Sequence, residues 1–204
     1  MSRFARKPVV SCQVTEPSLL GCFVQPLNAS SIRYFVTGGV ATIIYGEPRF
    51  TRDIDLVLAI SPADARRFLS LWPPDEYYAP PEDTIIAESA RSADGHFNVV
   101  HIDTGLVADC YTAGDDELHA WAFDHLNWLE VEDLQIPVAP VEYVIVRKLS
   151  YFAQAGSTRH LEDIARMRRI QGNAIDTASL ERWIDKLDVR GAWSRVADID
   201  LDAG

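Results

Sequence analysis

The sequence predicts an α/β (α+β) fold, with a mixed-sheet core over residues 1–139 and a helical region over 140–204. Three observations point there. Short runs rich in β-branched and aromatic residues, broken by Gly, Pro and Asp, recur up to about residue 139. Beyond that point, apolar residues recur at helical spacing in three successive stretches. Hydrophobic residues make up 48% and charged residues 24%, the balance of a folded chain able to bury a core without a disulfide or metal staple.

Residues 18–31 carry a weak helical pattern. Ile32–Thr37 reads as a strand; Gly38-Gly39 breaks it, and Val40–Tyr45 follows as a short buried helix closed by Gly46 and Pro48. Asp53–Ile60 reads as a second strand. Ser61-Pro62 is a helix start, a cap residue followed by proline at the first helical position. Ala65, Phe68, Leu69 and Trp72 then form one apolar stripe, stopped by Pro73-Pro74. A further helix is predicted over 82–90. Phe97–Ile102 and Leu106–Tyr111 read as strands joined by a tight turn at Asp103-Thr104-Gly105. Asp115–Phe123 reads as a helix, and Leu126–Val131 with Gln135–Ala139 as a hairpin whose Pro137 restricts the second strand to an edge. Helices follow over about 140–155, 158–171 and 176–188. The tryptophans are read as core.

The chain has 204 residues, with 19 Lys+Arg against 30 Asp+Glu, a net charge of −11. That excludes a broad nucleic-acid-coating surface. Local basic character is confined to Arg147, Lys148, Arg159, Arg166, Arg168 and Arg169, which a solvated helix face with a Glu162–Arg166 pair also explains. Three cysteines (Cys12, Cys22, Cys110) are too few for a disulfide framework and fit a reducing compartment. Arg3, Arg6 and Lys7 lead into only Val9 and Val10, so no signal core is read, and no run approaches a membrane span. The expected location is the cytoplasm.

The chemistry concentrates in Thr37–Leu56. Asp53 and Asp55 are two apart on a strand, so both carboxylates share one face while Ile54, Leu56 and Leu58 face the core. Such a pair suits Mg²⁺, which takes one or two carboxylates plus substrate phosphates. A solvated strand end also carries aspartates. Gly38-Gly39, between a strand and a helix, lets backbone N–H groups approach a phosphate. Arg49 and Thr51 lie in the loop before the carboxylates. Phosphate cradle and metal pair together make a nucleoside triphosphate site. Lys148 lies seven residues after Val141, within the apolar stripe of helix 140–155, so it needs an anion or a path to water. A triphosphate meets the first need and snorkelling the second. Asp163 fits an ordinary helix pair with Arg159 or Arg166. His160 is read as a surface or helix-start residue. His96, His101, His119 and His125 are read as structural or exposed.

Strand, Gly-Gly, short helix and Asp-Ile-Asp-Leu resemble the signature of the polymerase-β-type nucleotidyltransferase superfamily. Tyr45-Gly-Glu-Pro-Arg-Phe-Thr-Arg-Asp-Ile-Asp-Leu56 is similar to the small bacterial branch that includes AbiEii-type toxins of toxin–antitoxin systems. Ala139–Leu149 and Arg159–Ile164 match that branch's Lys-Leu helix and its following helix with a basic residue and an Asp. The resemblance covers about residues 32–187. One departure stands out: many relatives have Ser directly before the first Asp, where this chain has Arg52 with Thr51 one position earlier.

The resemblance implies three carboxylates, two Mg²⁺ ions (Mn²⁺ substituting) and transfer of an NMP from an NTP to an acceptor hydroxyl, with pyrophosphate leaving. It implies catalytic metal ligands Asp53 and Asp55, and a nucleotide held by Gly38, Gly39, Arg49, Thr51, Lys148 and Asp163. The third carboxylate is assigned to Asp109. Asp103 is explained by its turn, whereas Asp109 is mid-strand with no turn to serve. The acceptor is a tRNA end, a protein or a small molecule, and a cognate antitoxin is an expected partner. The alternative is a non-catalytic interaction protein retaining the fold; a metal phosphohydrolase would use the same carboxylates.

Overall fold

Seven strands form one mixed sheet, in the order β3-β4-β5-β2-β1-β7-β6, in the computed structural model, which describes residues 18–131 and 133–199. The expectations for Cys12 and for Arg3 to Val10 lie outside those residues. The strands are β1 (Arg33–Thr37), β2 (Asp53–Ala59), β3 (Tyr77–Tyr78), β4 (His96–His101), β5 (Val107–Thr112), β6 (Asn127–Val131) and β7 (Leu134–Val138). β2 runs antiparallel to β1 and parallel to β5, and β4 runs antiparallel to β5.

This register sorts the side chains. Thr37, Asp55, Asp109 and Asn98 lie opposite one another across β1, β2, β5 and β4. Phe35, Val57, Tyr111 and His96 form the next rung. Residues aligned across a sheet project to the same face, so one face carries the carboxylates. The other face is apolar: Ile54, Leu56, Leu58, Ala108 and Cys110 are fully buried.

Helices cover both faces. A π-helical turn (Leu20–Val24) runs into α1 (Gln25–Asn28), and with α3 (Ala65–Leu69) and α4 (Glu82–Ser89) it covers the apolar face. There Phe68 packs edge-on against Phe97 at 5.2 Å and against Trp72 at 5.6 Å. The predicted start at Ser61 is a reciprocal cap in which the Ser61 N–H and hydroxyl both donate to Asp64 Oδ2 (2.9 and 2.7 Å). The carboxylate face is covered by α2 (Gly38–Tyr45), α5 (Glu117–Asp124) and α6 (Val141–Ala155). Phe35 meets Phe123 of α5 at 4.8 Å and Tyr143 of α6 at 5.2 Å. α7 (Thr158–Gln171), α8 (Thr177–Lys186) and α9 (Arg190–Arg195) complete the helical region around α6.

Three expectations need correction. β7 is interior, between β6 and β1, despite Pro137. Its pairing with β1 is confined to Val36 opposite Val138, with the Ala139 N–H donating to the Val36 carbonyl at 2.9 Å. Lateral bonding therefore begins after the proline, where N–H donors return, and β6 takes the edge. Trp128 on that edge is 62% exposed rather than core. The turn at 103–105 is served by Thr104, whose hydroxyl accepts from the Leu106 N–H (3.3 Å), and not by Asp103.

One ion pair ties α5 to α6. Asp116 caps α5, accepting from the Leu118 and His119 N–H groups (2.8 and 3.0 Å), and its other oxygen binds Arg147. Burial pushes the Asp116 carboxyl up, but Arg147 prevails and holds it below the ordinary range. A depressed carboxyl stabilises the fold above its unfolded pKa and loses that contribution as pH falls through the folded value. Asn also caps helices, so Asp116→Asn removes mainly the charge. We expect it to cost about 1.5–3 kcal/mol in urea unfolding at pH 7. The gap to the unmutated protein should narrow below about pH 4; a gap independent of pH would refute the charge pairing.

Candidate active site

β1 runs directly into α2, and Gly38 and Gly39 form the junction. Gly38 has φ of 55°, and a Cβ there would lie 1.9 Å from Asp55 Oδ2. No other residue allows that conformation and that approach together. The Gly39 N–H then donates to Asp55 Oδ2 at 2.9 Å. Asp53, two residues earlier on the same face, takes the Thr51 hydroxyl. Asp109 lies opposite Asp55 in register, and its Oδ1 is 3.6 Å from His96 Nε2. Arg52, directly before Asp53, turns away to donate to the Thr104 carbonyl at 2.9 Å. The hydroxyl beside Asp53 comes instead from Thr51.

Burial pushes the Asp55 carboxyl above its ordinary range; the Gly39 N–H opposes this, Asp109 and Asp53 add to it, and Lys148 counters. Burial likewise raises Asp109, opposed by His96 and reinforced by Asp53. The carboxylates thus repel one another on a rigid sheet.

A cavity of 410 Å³ lies over them, between the sheet and helices α6 and α7. Of the residues predicted from sequence, Gly38, Gly39, Arg49, Asp53, Asp55, Lys148 and Asp163 line it. Thr51 and Asp109 are not on its wall, although each neighbours a carboxylate that is. Arg49 Nη2 lies 3.5 Å from where a Gly39 Cβ would be, and its buried Nε has no partner. That is a cationic donor beside the diglycine turn, available to an anionic oxygen.

Lys148 is 6% exposed, and its Nζ donates to Asp163 Oδ2 at 2.7 Å; Asp163 is 5% exposed. Lys148 therefore does not snorkel, and the anion it meets here is Asp163. Asp163 in turn is not paired with Arg159 or Arg166. Arg166 binds Glu47 (3.2 Å) and lies 3.7 Å from Glu162.

Sequence reading missed several cavity residues. Arg147, which the sequence leaves open between a local basic patch and a solvated face, is in the wall over the Tyr143 ring at 5.5 Å. Tyr143, Arg147 and Tyr151 recur every four residues on α6, a polar-aromatic stripe that the search for apolar residues passed over. His96, His119 and His160 also line the cavity. The buried Nδ1 of His160 lacks a partner, and burial with Lys148 lowers its pKa.

Among the described residues, no three His, Cys, Asp or Glu side chains are grouped so as to hold a metal ion. The chemistry of the donors nonetheless fits a hard divalent cation. Asp53, Asp55 and Asp109 offer carboxylate oxygens on adjacent strands, and a cation would relieve their mutual repulsion.

The family model for the nucleotidyl transferase AbiEii toxin of type IV toxin–antitoxin systems matches residues 23–202. The chain belongs to the AbiEii nucleotidyltransferase family. Among curated proteins, none matches the sequence. The solution structure of the antibiotic-resistance factor ANT(2'')-Ia is 13% identical, with a TM-score of 0.55 over 86% of this chain and 92% of that one. Its crystal structure with adenylyl-2''-tobramycin is 13% identical, with a TM-score of 0.52 over 82% and 94%. An antigenic nucleotidyltransferase-like protein from Paracoccidioides brasiliensis is 18% identical, with a TM-score of 0.49 over 83% and 88%. The ANT(2'')-Ia likenesses show the shared fold. No helix among the described residues is long and apolar enough to cross a membrane.

Breaking the buried Lys148–Asp163 pair strands a charge. Lys148→Met is expected to destabilise the protein by about 3–5 kcal/mol, and Lys148→Met with Asp163→Leu to recover most of that loss. Urea denaturation of the single and double variants checks this; a double variant no more stable than the single would show that the two residues are not coupled.

Proposed function

We propose that this protein transfers a nucleoside monophosphate from a nucleoside triphosphate to an acceptor hydroxyl, with Mg²⁺ or Mn²⁺ as cofactor and pyrophosphate as the second product. One observation carries the reading: Asp53 and Asp55 share a face with Asp109, directly beneath the Gly38–Gly39 turn. The acceptor oxygen bonds to the α-phosphorus as the bond to pyrophosphate breaks, and the hydroxyl proton passes to water. Asp53, Asp55 and Asp109 would hold two divalent ions, which supply charge neutralisation on the attacking and leaving oxygens. The N-terminal N–H groups of α2, with Arg49 and Thr51, hold the phosphates. Lys148 reaches the same phosphates, and Asp163 acts as its positioning residue.

Family membership supports a toxin–antitoxin setting, with a cognate antitoxin as partner and the cytoplasm as the site of action. The acceptor is a tRNA end, a protein hydroxyl or a small molecule. ANT(2'')-Ia, of similar fold, was solved with an adenylylated small molecule, which keeps that class in view.

The test is incubation with labelled NTPs, Mg²⁺ and cell extract. Label in an acceptor with pyrophosphate release supports transfer. Orthophosphate release would indicate a hydrolase, and no turnover with any acceptor would indicate an interaction protein.

Asp53→Asn and Asp55→Asn should each abolish transfer while leaving the circular-dichroism spectrum unchanged, because charge is lost and shape is kept. Near-normal turnover by either at saturating Mg²⁺ would overturn the ligand assignment. Asp109→Asn should fail likewise while Asp103→Asn remains active, compared by transfer rate and Mn²⁺ affinity. The reverse pattern would remove Asp109 from the site.

A further inference from the structure

A second cavity, of 390 Å³, lies at the far ends of the helices that build the first. Its wall includes Tyr45 at the end of α2, Trp121 on α5, His125 after it, Glu142 in the first turn of α6, and Asp176 before α8. α2 starts at Gly38-Gly39, α5 is capped by the Asp116 that holds Arg147, and α6 carries Lys148. The two cavities therefore share three helices.

Glu142 is the informative residue. It is 6% exposed, and its Oε1 accepts one hydrogen bond, from the Asp176 N–H at 2.6 Å. Among the described residues, Oε2 has no hydrogen-bond or ion-pair partner. A carboxylate has about four acceptor positions, and one amide donor leaves the second oxygen free to take a donor that enters the cavity. Among the described residues, no Lys or Arg lines the cavity. Beside Glu142, the rings of Trp121 and His125 stack at 4.7 Å and 26°, presenting an aromatic wall. Asp176 adds a second carboxylate at the rim.

The frame around this space is already fixed. The Tyr45 hydroxyl donates to the Ala139 carbonyl (2.7 Å) and accepts from Asn127 Nδ2 (2.8 Å). Gln171 Nε2 donates to the Tyr45 carbonyl (2.9 Å). A structural tie between Glu142 and Asp176 explains Oε1 but not the open second oxygen.

We infer that this cavity binds a small organic cation, an alkylammonium whose charged head meets Glu142 and whose carbon chain lies on Trp121. Carboxylate plus aromatic face is the arrangement that favours such a group. The inference does not rest on the transferase reading.

The probes are n-butylamine and putrescine, with n-butanol as the neutral control of similar shape. The readout is the Trp121 indole N–H signal in a nitrogen–proton spectrum of the full chain, assigned with Trp121→Phe. Both amines should give a saturable shift and butanol none. Glu142→Gln keeps an acceptor for the Asp176 N–H but removes the charge, and should weaken amine binding by about tenfold or more. Ala174→Trp, at the exposed rim, should fill the cavity and block binding with Glu142 intact, which preserves the test if the glutamine variant does not fold. Absence of a saturable amine shift, an equal response to butanol, or undiminished affinity in either folded variant would overturn the proposal.

Discussion

The contact between the Gly38–Gly39 turn and Asp55 governs the rest of the site. It needs a residue without Cβ in a left-handed conformation at the point where β1 becomes α2. Once met, that requirement brings the start of α2 onto the carboxylate face of β2. The Gly39 N–H then satisfies one oxygen of a carboxylate that is otherwise half-buried among like charges. The parallel pairing of β2 with β5 adds Asp109 beside it at one strand spacing, about 4.8 Å. A backbone constraint, a sheet register and an electrostatic cost thus meet at one residue.

The cations around this cost are not equivalent. Lys148 is committed to Asp163 and Arg147 to Asp116, both in pairs largely withdrawn from water. Such pairs contribute little net stability but are expensive to break, so they fix geometry. They set how α6 sits against α7 and α5. Arg49 differs: it enters no ion pair among the described residues, and its buried Nε is unpartnered. Of the basic groups near the diglycine turn, it has the most donor capacity left for an incoming anion.

Much of this was legible in sequence because the signals are local. Strand, glycine break, short helix and Asp-X-Asp are set by neighbours within a few residues, and periodicity of two places both carboxylates on one face. Asp109 was also reachable, since a mid-strand carboxylate on a mixed face needs a reason to be there. The turn role that sets Asp103 apart from it does not hold, because Thr104 rather than Asp103 bonds the turn. What was not legible is non-local. Lys148 and Asp163 meet across two helices whose crossing no spacing rule fixes. Spacing alone leaves Arg147 between a basic patch and a solvated face, because the stripe Tyr143, Arg147 and Tyr151 that lines the cavity is not apolar. Pro137 predicts an edge position for β7, yet its missing donor matters only at one position, and β7 pairs with β1 beyond it.

The same pairings explain how a chain with net charge −11 carries a basic stretch most of whose cations are matched by carboxylates. Between residues 147 and 169, Arg147 and Lys148 bind Asp116 and Asp163, while Arg166 and Arg169 bind Glu47. Arg168 lies over the Trp193 ring at 4.6 Å. Arg147 and Lys148 are withdrawn from water, whereas Arg166 and Arg169 pair with Glu47 at the surface and Arg168 stays exposed; Arg159 alone of the set lines the cavity without an ion pair among the described residues. Long-range attraction of a polyanion scales with unneutralised surface charge and falls off over about 10 Å at 0.1 M salt. With a net charge of −11 and these pairs in place, such long-range steering is weak at this site. What the cavity offers instead is short-range fit, with Tyr151, Arg159 and His160 sharing its wall with Asp53 and Asp55.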